Sequence, residues 1–85
     1  MYKILFSKQA CKDYEKVKTS KLKKQVLHLL ETVEQNPFQP PYEKLLGDLE
    51  GAYSRRINIQ HRLVYTVSEE DKTVYILRMW THYEN

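Results

Sequence analysis

The chain has 85 residues, enough for a single small domain spanning 1–85 and too few for a second core. At 41% hydrophobic and 29% charged, with two glycines and three prolines, it is globular rather than disordered, collagenous or linker-like. Its net charge is a mildly basic +3, its one cysteine (Cys11) excludes a disulfide scaffold and a four-thiolate zinc site, and no apolar run approaches the ~18 residues of a membrane span.

In chain order, Tyr2 to Phe6 is a short β-prone run, with too little apolar length for a signal peptide. These features predict a soluble cytoplasmic protein with no membrane association. Ser7 stops the run and is a good helix N-cap. Ala10, Tyr14 and Val17 then recur at i, i+4 and i+7, predicting a helix from Lys8 to about Lys18. Cys11, on this stretch, reads as small packing. Thr19-Ser20 breaks the pattern, with Ser20 a second N-cap. Leu22, Val26, Leu29, Leu30 and Val33 carry a second helix to Gln35, and Asn36-Pro37 ends it. Phe38 to Gly51, with Pro40-Pro41 and both glycines, predicts a loop with a turn of helix near Leu45. Beyond it the period becomes strand-like: Tyr53 to Ile59, His61 to Val67, a polar hairpin loop from Ser68 to Lys72, and Thr73 to Thr81. The expected layout is α+β, β-α-α-β-β-β, a mostly antiparallel sheet with the helix hairpin packed on one face.

The basic residues are unevenly placed. Eight lysines lie between Lys3 and Lys24, against only Asp13 and Glu15, and Arg55, Arg56 and Arg62 form a second cluster. Seven tyrosines add stacking and hydrogen-bonding groups. Arginine with tyrosine suits a surface that meets nucleic acid, whereas lysines on a helix face also serve simply to solvate it. No phosphate-cradling glycine motif, metal-ligand spacing or activated nucleophile is present, so the pattern implies no cofactor and no metal. Any catalysis has to run on acid–base chemistry and fixed charge. Glu43 in the Pro-rich loop, the three arginines, and His82-Tyr83 after the last strand are the ingredients. A base that takes the 2′-hydroxyl proton, an arginine against the phosphorane and an acid for the 5′-oxygen suffice to cleave RNA without metal. Taken singly, each residue also has an ordinary structural or solvated reading. On its residues alone the chain is a small basic α+β domain, an RNA binder or a nuclease.

The segment Ser54-Arg55-Arg56-Ile57-Asn58-Ile59-Gln60-His61-Arg62-Leu63-Val64-Tyr65 resembles the S-R-R-I-x-x-x-H-R-L-V-Y block of the YoeB/Txe toxins, in the RelE/ParE superfamily. Asn36-Pro37-Phe38, the glutamate-bearing Pro-rich loop and the closing His82-Tyr83 extend the similarity over essentially the whole chain. The resemblance implies a microbial-ribonuclease-like fold and a ribosome-dependent endoribonuclease that cuts mRNA in the A site, the toxin of a type II toxin–antitoxin pair. By position, Glu43 is then the general base, Arg62 the phosphate and transition-state stabiliser, and His82 the general acid. Tyr83 orients the substrate or stacks on a base. Arg55 and Arg56 are RNA-backbone or structural arginines, Lys44 is expected to supply, from a different angle, the RNA-binding charge of the family lysine that is absent at Leu46, and the lysine-rich hairpin is a ribosomal-RNA surface. Leu46 stands where family members commonly carry a lysine. The implied partners are mRNA, the bacterial ribosome and a YefM/Phd-type antitoxin with an acidic, partly disordered segment; a homodimer is left open. The competing expectations are a ParE-like gyrase inhibitor and a non-catalytic RNA- or antitoxin-binding module.

Overall fold

The computed structural model of the chain describes residues 1–80. Its elements run β1 (Lys3–Phe6), α1 (Lys8–Val17), α2 (Lys23–Gln35), β2 (Glu43–Lys44), a 3-10 turn (Gly47–Leu49), β3 (Tyr53–Arg56), β4 (Arg62–Ser68) and β5 (Thr73–Arg78). The five strands form one sheet in the order β1-β5-β4-β3-β2. Only the β1–β5 pair is parallel; the other neighbours are antiparallel. The α+β layout is the expected one, with one strand more than periodicity revealed.

Ser7 caps α1 as its position predicts. Its hydroxyl accepts from the Ala10 amide at 3.0 Å and donates to the Leu77 carbonyl at 2.8 Å, so one side chain starts the helix and ties it to β5. Ser20 behaves differently from expectation. It donates to the Val17 carbonyl at 2.8 Å and accepts from the Leu22 amide at 3.0 Å, closing the turn between the helices. α2 therefore begins at Lys23, behind Leu22, which caps it without a side-chain bond. Asn36 leaves the helix in an extended conformation, as a residue before proline must.

Ala10 and Val17 of α1 and Val26 and Val33 of α2 are buried in one cluster with Leu63, Tyr65, Val74, Ile76 and Met79. Strand alternation sends Leu63 and Tyr65 of β4 to this helix-covered face and Val64 to the other. There Val64 packs with Leu45, Ala52, Leu49 and Leu77 in a smaller cluster, so the segment after β2 covers part of the second face. This explains why 45–52 has no helical period: the 3-10 turn lies beyond Leu45, and its neighbours are tethered by tertiary packing.

Two expected boundaries move. The third strand stops at Arg56 rather than Ile59, because the Asn58 side chain accepts from the Gln60 and His61 amides and turns the chain. The last strand ends at Arg78, where the Met79 amide is taken by Asp13 rather than by a neighbouring strand. Cys11, expected to pack, is exposed. Among the described residues, no helix is long and apolar enough to cross a membrane.

Candidate functional site

β2 is only two residues long and pairs Glu43 with Ser54 and Lys44 with Tyr53. Glu43 is thus on a strand, not in the loop where the Pro-rich composition placed it. The register continues across the sheet, Ser54 opposite Val64 and Arg56 opposite Arg62. It brings Glu43 and Arg62, 19 residues apart in sequence, onto one sheet face. The Arg62 guanidinium donates to a Glu43 carboxylate oxygen at 3.2 Å and to the Ser54 hydroxyl at 3.1 Å. The Arg62 side chain is 13% exposed and that of Glu43 55%. The arginine is therefore held from behind by Ser54 while the carboxylate stays open to solvent.

β2 is confined to Glu43 and Lys44, and among the described residues no strand pairs with the outer edge of β3 at Arg55 and Arg56. A notch of about 540 Å³ opens at this gap. One side carries Glu43, Ser54, Arg55, Arg56 and Arg62, the loop 39–42 closes it, and α2 contributes Gln25, His28, Leu29 and Thr32.

Arg55 and Arg56 are divided by strand alternation. Arg56 is exposed and lines the notch. Arg55 is 3% exposed. Its guanidinium donates to the Pro37 carbonyl at 2.9 Å, the Pro41 carbonyl at 3.1 Å and the Tyr65 hydroxyl at 3.0 Å. Tyr65 in turn donates to the Pro37 carbonyl at 2.7 Å. The Tyr42 and Tyr65 rings lie 5.6 and 5.8 Å from the guanidinium carbon. Burial raises the pKa of Tyr65 against the opposing pull of Arg55. Of the two readings the sequence left for Arg55, this geometry is the structural one: it clamps the ends of the loop leading to Glu43.

Asp13 on α1 forms a second buried anchor. Its carboxylate accepts from Arg78 at 2.9 Å, the Met79 amide at 3.0 Å and Gln9 at 3.0 Å. Burial pushes its pKa up, and the hydrogen bonds from Arg78, Gln9 and Met79 outweigh it, holding the carboxyl below its ordinary value. Met79 and Trp80 are packed as expected, Met79 in the core and Trp80 stacked on His61 at 4.1 Å between ring centroids.

The structure thus joins Glu43, Arg62 and Arg56 in one notch; Arg55 also lines it, but is buried with its guanidinium committed to Pro37, Pro41 and Tyr65. Lys44, the residue after Glu43 on the same strand, alternates to the opposite side and does not line the notch. Leu46 is 70% exposed on the chain just beyond. His82 and Tyr83 lie outside the described residues. Sequence reading missed Ser54, although it stands inside the motif quoted above, and it missed the α2 wall. The signal for that wall was a polar flank at i, i+3 and i+7, which an ordinary solvated helix face also shows. Among the described residues, no group of three or more His, Cys, Asp or Glu side chains is placed to hold a metal ion.

Comparison with known proteins agrees with the fold. The family described as the YoeB-like toxin of bacterial type II toxin-antitoxin systems matches residues 6–83. A Toxin YoeB of Synechocystis is 35% identical over 86 residues, covering 96% of this chain and 98% of its own. Two solved structures from Staphylococcus aureus are similar throughout. The toxin in a YoeB-YefM complex superposes with a TM-score of 0.81 at 36% identity, covering 98% of this chain and 99% of that one. A YoeB dimer superposes at 0.82 with 38% identity, covering 96% and 98%.

Proposed function

This chain belongs to the family of YoeB-like toxins of bacterial type II toxin–antitoxin systems, and on that premise we propose that it is a metal-independent endoribonuclease that cuts mRNA in the ribosomal A site. The observation that carries the reading is the Glu43–Arg62 pair. A carboxylate and a guanidinium from separate strands meet at the mouth of a notch large enough for a nucleotide, with the second cation, Arg56, beside them.

In this mechanism the Glu43 carboxylate accepts the 2′-hydroxyl proton as O2′ attacks the adjacent phosphorus. Arg62, its orientation set by Ser54, donates to the phosphoryl oxygens as negative charge builds on the phosphorane. Arg56 binds the backbone nearby. Departure of the 5′-oxygen needs a proton, which we assign to His82 on its motif position, with Tyr83 beside it to orient the strand. The products are a 2′,3′-cyclic phosphate and a 5′-hydroxyl. Proton transfer at both oxygens and a cation at phosphorus account for every step. The partner is a YefM-type antitoxin, on the precedent of the Staphylococcus aureus complex; self-association has its precedent in the dimer of the same relative. The ribosome and mRNA partners follow from the proposed reaction, and the site of action is the cytoplasm.

Primer extension on an mRNA translated in a reconstituted bacterial system tests the reading, with purified protein and with or without ribosomes. The expected result is a discrete cut within the A-site codon that requires ribosomes. In Glu43→Gln, cleavage falls by about 10²–10⁴-fold while antitoxin binding persists. Intact mRNA with inhibited gyrase supercoiling points instead to a ParE-like activity. Intact mRNA with active gyrase leaves a binding module.

A further inference from the structure

The two walls of the notch differ in chemistry. The strand wall is charged: Glu43, Arg56 and Arg62. The α2 wall carries no carboxylate, guanidinium or ammonium group: it presents an amide (Gln25), an imidazole (His28) and an apolar side chain (Leu29), with the Thr32 hydroxyl. These four lie on one flank of α2, beside the core-facing stripe of Val26 and Val33. Their polar atoms are not equivalent. Thr32 donates to the His28 carbonyl at 3.1 Å and is committed to its own helix. Neither the Gln25 amide nor the His28 ring has a hydrogen-bond partner among the described residues. Both are exposed, so their groups are available at the notch without any rearrangement of the core.

We propose that Gln25 and His28, over the apolar floor of Leu29, form a subsite for the nucleobase next to the phosphate held by Arg62 and Arg56. The proposal rests on the reading of the notch as an RNA-cleaving site and adds to it a determinant of which sequence is cut. A phosphate is drawn to the cationic wall, where two guanidinium groups offer charge-assisted bonds. A nucleobase is flat and uncharged, with donors and acceptors along its edge and apolar faces above and below. Unstacked RNA bases are recognised by hydrogen bonds to those edges and by packing on their faces. The amide of Gln25 offers a donor and an acceptor, and the His28 imidazole presents two ring nitrogens for hydrogen bonding. Leu29 supplies the packing surface. The i, i+3 spacing holds the two polar groups one turn apart on a rigid element, so they discriminate better than groups on a mobile loop.

The test compares wild type with Gln25→Ala, His28→Ala and the double variant on ribosomes carrying different A-site codons. Because both positions are exposed on the helix surface, all three variants are expected to fold, and thermal midpoints verify it. For the preferred codon, the double variant should raise KM while kcat stays within roughly threefold of wild type. The ratio of kcat/KM between preferred and disfavoured codons should shrink by roughly 5- to 100-fold. A His28→Asn variant, which keeps a donor and an acceptor, should recover part of that ratio. Unchanged KM and codon ratios in an active double variant overturn the subsite and leave the nuclease reading standing. A wild-type protein that cuts no codon overturns both, so the wild-type reaction tells the two failures apart.

Discussion

Two arginines on neighbouring strands of this sheet are used in opposite ways. Arg55 is enclosed and bonded to two carbonyls, a hydroxyl and two tyrosine faces. No carboxylate among the described residues lies within ion-pair distance of it. Arg62 sits at the rim, bonded to Ser54 and to the exposed carboxylate of Glu43. A buried cation with neutral partners is costly to desolvate, and it persists only where its hydrogen bonds hold something in place. Here it holds Pro37 and Pro41, the two ends of the loop that delivers Glu43. The rim arginine is mostly covered but its partner carboxylate is exposed, so in the proposed reaction their bond can be exchanged for a bond to RNA. Sequence adjacency to Arg56 and similarity to Arg62 conceal this division; burial makes it.

The sharpest way to break the comparison is Arg55→Met. It leaves the Pro41 carbonyl without its buried donor, weakens the hold on Pro37 and removes the stacking with Tyr42. Stability should fall by about 2–4 kcal/mol, read as a thermal midpoint lower by roughly 10 °C or more. A midpoint at or above wild type means the guanidinium was a net desolvation cost and the clamp is not structural.

Asp13 sharpens the same contrast from the opposite charge, since it is a buried carboxylate with a cationic partner. Asp13→Asn should cost about 1–3 kcal/mol near neutral pH. Its lowered pKa means that wild type carries the full contribution above the unfolded carboxyl value of about 4. That contribution is lost as pH falls through the folded value. The gap between wild type and Asp13→Asn should therefore narrow below pH ~4 in thermal melts taken across pH. A gap that stays constant down to pH ~2 contradicts the ionised anchor.

The smallest effect belongs to the rim. Glu43→Gln should change stability by less than about 1 kcal/mol, because the pair it breaks is half in solvent. Urea midpoints of the two proteins compared side by side measure it. A loss as large as that of Arg55→Met would place Glu43 among the structural residues and weaken its assignment as the base.

Much of the fold is legible in the chain. The Ser7 cap, the apolar spacing of Val26 and Val33, the Asn36-Pro37 stop and the alternation of Leu63 and Tyr65 against Val64 are local patterns, and the structure follows them. β2 was illegible because two residues have no period; only pairing with Tyr53 and Ser54 makes them a strand. Ser20 carried a capping signal and spent it on the preceding turn, since its hydroxyl reached Val17 and Leu22 instead. The arginine cluster was visible as charge, but its separation into a clamp and a notch depends on which edge of β3 lies open. The α2 wall was visible only as a polar flank.

By itself, then, the sequence determined the element types, their order, the family motif and the residue types available for chemistry. These follow from backbone preferences and spacings acting over a few residues. Tertiary structure alone decided that Glu43 meets Arg62, that Arg55 is withdrawn from solvent, and that Gln25 and His28 face the same notch. Strand register and the short reach of β2 set those contacts. Register is a property of paired chains, fixed by which faces can be buried together, and no single segment carries it.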